Sequence, residues 1–396
     1  MNKRFIIITI GIIFLLILAW AGYFYWQNLR GAYVGVLPPA DDVTKLVGQP
    51  DSPIKLPPGF AISIFAKDLP GVRAMARDSF GNIWVSRTNA GVITLLEMRE
   101  GKVYAQHDIL RDLNNPHGLV FDPERNLMLF YAEEDKVSRI PTYSDGEPEK
   151  LLDLPSGGGH STRTLAIGPD NRLYVSIGSS CNVCHEENSM RAKIFSMKQD
   201  GTDVKEFARG LRNAVFFTWS YIDGRMWATE MGRDLLGDDT PPDEINIITE
   251  GGNYGWPNCY GKNIHDDQFD KNTYIRNPCM EPFELPSYID IPAHSAPLGL
   301  AFVPEEGWPE DYWYDLLVAY HGSWNRSEPT GYKIVRVKLD AEGKFEGIED
   351  FATGWLSDSG VLGRPVGIYL EPGGVMYVTD DKAGVIYKIN LKEPPR

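Results

Sequence analysis

Short apolar stretches broken by turn residues recur along most of the chain. Each unit is an apolar strand, a turn of Asp, Pro, Gly or Asn, and a second apolar strand rich in aromatic and β-branched residues. Six copies are found: Ala74–Asp78 with Asn82–Ser86, Gly118–Asp122 with Asn126–Tyr131, Thr164–Gly168 with Arg172–Ser176, Ala214–Phe217 with Arg225–Thr229, Gly299–Val303 with Tyr314–Tyr320, and Val366–Leu370 with Val375–Thr379. The first four begin 44, 46 and 50 residues apart, the spacing of four-stranded propeller blades. Insertions around residues 230–295 and 305–360 delay the last two. A third strand follows most copies, at Val92–Met98, Lys193–Met197, Lys333–Val337 and Gly384–Ile389. Six units exceed what a β-sandwich explains, so the pattern predicts an all-β, six-bladed β-propeller over residues 59–396.

The first 58 residues follow other patterns. Lys3 and Arg4 precede an uncharged run of 22 residues, Phe5–Trp26, long enough to cross a bilayer core of about 30 Å. Its aromatic end (Trp20, Tyr23, Phe24, Tyr25, Trp26) suits a membrane interface. Residues 1–30 therefore read as a transmembrane signal-anchor, with the body on the periplasmic or other extracytoplasmic face. Ala19-Trp20-Ala21 offers a small-x-small cleavage site, but cutting there leaves an apolar aromatic stub, which favours a retained anchor. Residues 31–58, holding Pro38, Pro39, Pro53, Pro57 and Pro58, read as a linker, extended in places.

The repeat also locates a functional face. In a propeller the residues just before each first strand ring one mouth of the central channel. Here they are Arg73, His117, His160 with Thr162, Arg212 with Asn213, Ala296, and Arg364. Loops between second and third strands reach the same end and add Cys181–Arg191, Met231–Asp243, His321–Arg326 and Asp380–Lys382. The whole chain is acidic, with net charge −15, and carries no basic cluster, which argues against nucleic acid as a partner. Acidity is compatible with steering of a basic electron-transfer partner. Clustered cationic groups in such a chain imply an anionic ligand.

Within the ring, His160 sits in Gly157-Gly-Gly-His-Ser-Thr-Arg163, where glycines keep the imidazole accessible as a general base for a substrate hydroxyl. The segment Glu230–Asn246 is long, acidic and rich in turn formers, and its carbonyls and carboxylates suit a hard cation such as calcium. Four cysteines fit an oxidising compartment. Two local disulfides, Cys181 with Cys184 and Cys259 with Cys279, are the simplest of three connectivities. Cys181-Asn-Val-Cys184-His185 formally matches a c-type haem attachment pattern. It lies in one propeller loop with no helical domain to enclose a porphyrin, so it reads as a tight disulfide loop near the site.

Gly-Gly-His-Ser-Thr-Arg163, Leu211-Arg-Asn213, Asp243-Glu-Ile-Asn followed by Gly251-Gly-Asn-Tyr-Gly-Trp-Pro257, and His321-Gly-Ser-Trp-Asn-Arg326 together resemble the glucose/sorbosone dehydrogenase family, over roughly residues 55–392. That family consists of propellers using pyrroloquinoline quinone (PQQ) with calcium. The resemblance implies that His160 takes the proton from the substrate hydroxyl while hydride passes to the quinone. It implies that Arg212 and Asn213 contact the quinone oxygens, beside Met231, and that Arg326, Arg364 and Lys382 pair with the cofactor's carboxylates. Calcium would be held by main-chain carbonyls at Gly232 and Arg233 and by the cofactor, with Asp243 and Glu244 as further ligands or a bridge between subunits. His117 falls where glucose-oxidising members contact substrate. Three departures stand out: Ser179 where an acid orients the base, Gly159 where another acid precedes the histidine, and Arg233 in place of a proline. They move the expectation from glucose toward the sorbosone-type and pyranose-oxidising members. The expected activity is oxidation of a sugar or aldehyde, with a cytochrome c or membrane quinone as acceptor. The alternatives are a metal-dependent lactone hydrolase, against which the arginine-rich ring weighs, and a cofactor-free carbohydrate-binding propeller.

Overall fold

The structure, a computed structural model, describes residues 3–26, 41–50, 52–122, 127–143, 146–358 and 360–392. Parts of the expected linker (31–40 and 51), Arg30 and Asn126 lie outside the described residues. Among the described residues the strands form six four-stranded antiparallel sheets, the third extended by a fifth short strand in parallel, and two two-stranded ribbons. Blade 1 runs Val72–Arg77, Ile83–Arg87, Val92–Arg99 and Lys102–Leu110. Blades 2 to 5 begin at Leu119–Phe121, Leu165–Ile167, Phe217–Trp219 and Pro297–Phe302. Blade 6 takes Pro365–Glu371, Val375–Asp380 and Val385–Leu391 from the end of the chain and its outermost strand, Phe60–Ala66, from the beginning. Phe60 pairs with Leu391 and Ile64 with Tyr387, so the two ends of the propeller close the ring in one sheet.

Burial explains why the second strand of each unit is the most apolar. Leu173–Ile177, Met226–Glu230 and Leu316–Tyr320 are buried at every position, because each lies inside its sheet with a neighbouring blade on both faces. The fourth strands alternate or face water, as Lys102–Leu110 does. Six apolar clusters lie one between each pair of adjacent blades, among them Trp227 with Phe302 between blades 4 and 5 and Tyr377 with Val85 between blades 6 and 1. Buried apolar area contributes about 25 cal/mol per Å², so the blades hold one another rather than standing alone.

Polar residues recur in the second strands for a local reason. The first strands of blades 1, 5 and 6 shift register near the channel mouth, which frees backbone groups from the ladder. Second-strand hydroxyls take them up: Thr379 Oγ1 donates to the Arg73 carbonyl at 2.6 Å and accepts from Gly367 N at 2.8 Å, and Ser86 Oγ accepts from Ala74 N at 3.1 Å. This fixes the main chain at the positions that carry the ring residues.

Lys3–Phe24 is a helix with no buried residue, long and apolar enough to cross a membrane. Within the expected linker, Asp41–Leu46 forms a short helix rather than extended chain, and Val43 and Val47 bury against the core of blades 5 and 6. Both disulfides form as the simplest pairing has them, Cys181–Cys184 and Cys259–Cys279.

Candidate active site

The channel mouth opens into a cavity of about 360 Å³. Its wall takes His160, Arg212, Asn213, Met231, Asp243, Ala296, His321, Trp324, Asn325 and Arg364, from blades 3, 4, 5 and 6. These come from the ends preceding first strands and from the second-to-third loops, as the repeat requires.

His160 is held from behind. Gly158 adopts φ +95°, and a Cβ there would lie 2.6 Å from the Ser180 carbonyl, so glycine is needed for the loop to lie against residues 178–180. Arg163, fully buried, donates to the carbonyls of His160 and Thr162, both at 2.9 Å, and of Pro155 at 2.8 Å. Arg191 donates to the carbonyls of His160, Gly178 and Gly157. His160 Nδ1 lies 2.9 Å from both the carbonyl and the hydroxyl of Ser179. A carbonyl only accepts, and the Ser179 hydroxyl donates instead to the Cys181 carbonyl at 2.7 Å. Nδ1 therefore carries the proton, and Nε2 is left with a lone pair. Burial, then the charge of Arg212, lowers the His160 pKa to about 3, so the ring is neutral near pH 7. The orienting group absent as a carboxylate is thus supplied by the Ser179 backbone.

Arg212 is 4% exposed and closely held. Nε donates to the Asn182 carbonyl and Nη2 to Asn182 Oδ1, both at 2.9 Å; Nη2 also pairs with Asp234 Oδ2 at 3.1 Å, and Nη1 donates to the Met231 carbonyl at 3.3 Å. Asn213 Nδ2 has the weak acceptor Met231 Sδ at 3.5 Å, which leaves donor capacity for a ligand. Across the cavity, Arg364 donates from Nε to the His321 carbonyl at 3.1 Å and from Nη2 to that of Gly322 at 2.5 Å. Its Nη1 has no partner among the described residues. His321 Nε2 lies 2.9 Å from Asp381 Oδ1, and Asp381 Oδ2 pairs with Arg73 at 2.5 Å. Burial raises the Asp381 pKa, but His321, Arg73 and Arg364 outweigh it and hold the carboxyl below the usual range. Burial, then Arg364, lowers His321 to about 4.

The acidic loop after Glu230 folds over one side of the cavity. Asp243 accepts from Gly232 N at 2.9 Å and Ala296 N at 2.8 Å, and burial raises its pKa to about 7. The Gly232 and Arg233 carbonyls accept no hydrogen bond among the described residues, which leaves them to a hard cation. The Arg233 guanidinium turns away and pairs with Asp266 at 2.6 Å, so its charge is neutralised outside the cavity. Glu244, the next residue on the strand, faces the other side. It accepts from Gly261 N at 2.6 Å and Asn246 Nδ2 at 2.8 Å, and burial raises it to about 6. Asp243 and Glu244 therefore do not converge on one site.

Besides Arg233 and Glu244, three more expected residues lie off the cavity wall. His117 is completely buried, with Nδ1 3.1 Å from Thr164 Oγ1 and its ring edge-on to Phe216. Arg326 donates to the Asp238 carbonyl at 2.5 Å and Asp239 Oδ1 at 2.7 Å, which straps the acidic loop down. Lys382 stands beside Asp380 on the blade 6 turn, half-buried, with no ion pair among the described residues. Conversely, nothing in the sequence singles out His294, and Asp234 and Asn325 enter only as members of the Met231–Asp243 and His321–Arg326 loops. Asn325 Nδ2 donates to Asp234 Oδ1 at 2.9 Å, and His294 Nε2 lies 2.8 Å from the Gly237 carbonyl. His294 has φ +65° and Ala296 φ +53°, and no sequence signal announces that turn.

The sequence model of the TrAA12-like family matches residues 54–392. An uncharacterised protein of Borreliella burgdorferi is 30% identical over 85% of this chain and 91% of its own length. A pyrroloquinoline quinone-dependent pyranose dehydrogenase of Coprinopsis cinerea is 23% identical; the match covers 88% of this chain but 56% of that enzyme. Among solved structures, a Trichoderma reesei family AA12 enzyme superposes with TM-score 0.73 at 21% identity, over 86% of this chain and 98% of that one. The PQQ domain of the Coprinopsis pyranose dehydrogenase gives 0.70 at 21%, over 85% and 97%. The chain belongs to the TrAA12-like family.

Proposed function

We propose that the protein is a PQQ- and calcium-dependent dehydrogenase that oxidises a hydroxyl-bearing sugar or sugar aldehyde. One observation carries this reading: a neutral histidine with a free Nε2 lone pair shares a cavity with two arginines from blades 4 and 6, in a chain of net charge −15. The donor set fits a flat, tricarboxylated quinone, since Arg364 keeps a free Nη1, Asn213 a free amide proton and Arg212 part of Nη1. The bare carbonyls of Gly232 and Arg233 fit the calcium. When bound, PQQ supplies an electrophilic quinone that accepts two electrons from a substrate C–H bond.

The chain's own residues do the rest. His160 Nε2 accepts the hydroxyl proton as the C–H bond breaks, a role for which Nδ1 is fixed on Ser179. Arg212 and Asn213 present donors to negative charge that develops on the cofactor, with no reorganisation because Arg212 is already anchored. Arg364 holds a carboxylate in the geometry its fork favours. Trp324 lies on the cavity wall at 52% exposure and offers an aromatic face to a sugar ring at the mouth. The Lys3–Phe24 helix tethers the enzyme to a membrane, with a cytochrome c or membrane quinone as electron acceptor.

The test is reconstitution with PQQ and calcium, followed by dye reduction over a panel of sugars and aldehydes. Substrate-dependent reduction is expected, and His160→Ala lowers kcat by about 10² or more while PQQ still binds. No dye reduction across the panel by PQQ-loaded protein overturns the reading.

A further inference from the structure

The Cys181–Cys184 loop touches both groups to which chemistry has been assigned. Its disulfide closes a ring of four residues, Cys181-Asn182-Val183-Cys184, on the loop between the second and third strands of blade 3. At one corner, the Cys181 carbonyl accepts from the Ser179 hydroxyl at 2.7 Å, and Ser179 holds His160 Nδ1. At the next residue, every polar group of the Asn182 side chain is used. Oδ1 accepts from Arg212 Nη2 at 2.9 Å and from Asp234 N at 2.7 Å, and Nδ2 donates to the Asp234 carbonyl at 3.1 Å. The Asn182 carbonyl accepts from Arg212 Nε at 2.9 Å. On the far side, Glu186 fastens the loop by accepting from Ser180 N at 2.7 Å and Ser180 Oγ at 2.8 Å.

We infer that Asn182, held in the disulfide ring, is the positioning residue that aims the Arg212 guanidinium into the cavity. The inference rests on the reading of Arg212 as a cofactor contact, but its test does not. A long arginine has four side-chain torsions, and fixing them costs rotamer entropy when done at the moment of binding. Two charge-assisted bonds from Arg212 to one residue, with a third to Asp234, fix the fork beforehand. The ring matters because it holds the Asn182 carbonyl, which a side-chain substitution leaves in place. Bridging Asp234 from both its N–H and its carbonyl, Asn182 also sets the carboxylate that is the other anchor of Arg212.

Reaction of the full-length apoprotein with the arginine reagent phenylglyoxal, mapped by peptide mass spectrometry, tests this. Arg212 is expected to be protected in the wild type. Asn182→Ala raises its modification rate by about tenfold, since loss of a bond to a charged group is worth at least ~1.4 kcal/mol. Removal of the ring in the double variant Cys181→Ser/Cys184→Ser also raises it, while fully buried Arg163 stays protected in both. Arg212 remaining protected in both variants, or Arg163 becoming reactive in step with it, overturns the inference. In parallel, PQQ titration of the same proteins reads the functional assignment: affinity about tenfold weaker in Asn182→Ala supports both. A wild type that binds no PQQ, with selective Arg212 exposure in the variants, defeats the assigned function and leaves the positioning role standing.

Discussion

His160 takes its tautomer from a backbone carbonyl rather than from a carboxylate, and this separates two jobs that an acid would perform together. The Ser179 carbonyl fixes which nitrogen bears the proton, but it brings no negative charge to stabilise an imidazolium. Burial and Arg212 then keep the ring neutral, with a pKa of about 3. A histidine whose folded pKa is depressed contributes stability above its unfolded value, near 6.5, and loses it as pH falls through the folded value. In the apoprotein, NMR titration of the His160 ring protons should show a neutral ring from pH 8 down to 5; a midpoint at 6 or above contradicts the geometry. The glycine run and the ring position single out His160 in the sequence. Ser179 is identified there only as a missing acid, because a main-chain acceptor leaves no mark in the pattern of side chains.

The elements act mainly by close approach of backbone. Gly178 directly follows the second strand of blade 3, and a Cβ there would lie 2.7 Å from both His160 Cβ and Asn213 Oδ1. Gly178→Ala therefore displaces His160 and Asn213, the proposed base and a proposed cofactor contact, together. It should cost about 10² in kcat/KM, while overpacking takes about 1–3 kcal/mol of stability. Unchanged kinetics in a folded variant contradict this placement. At the same scale, six apolar units locate all six blades, and position before the first strand selects His160, Arg212, Asn213 and Arg364. Residue type does not tell what an arginine on a loop will meet. Arg326 and Arg233 each find a nearby carboxylate, Asp239 and Asp266, before any ligand arrives. The separation of Asp243 from Glu244 was legible in principle, since adjacent residues of the strand Asp243–Ile248 point to opposite faces.

At the scale of the whole molecule, closure of the ring and the proposed tether fall to separate stretches of the first 66 residues. Phe60–Ala66 completes blade 6, and Val43 and Val47 pack beneath it, whereas the Lys3–Phe24 helix buries nothing. A chain that starts at residue 41 should fold, bind PQQ and partition into the aqueous fraction, while the full chain stays with membranes until detergent is added. Retention of the shortened chain on membranes contradicts a tether confined to the helix. Starting instead at residue 67 removes the closing strand and leaves an open sheet edge, which should give aggregated protein. The hydrophobic run makes the helix plain in sequence; the short helix Asp41–Leu46 was hidden in a proline-rich stretch because only tertiary burial of Val43 and Val47 supports it.

The convergence of Arg212, Asn213, Gly232 and Arg364 around one cavity is best tested by calorimetric titration of the apoprotein with PQQ. With calcium present, one PQQ should bind per chain, and Arg364→Ala should weaken it by about tenfold or more, as expected for a lost bond to a charged group. Absence of saturable binding, or identical affinity in Arg364→Ala, contradicts the account.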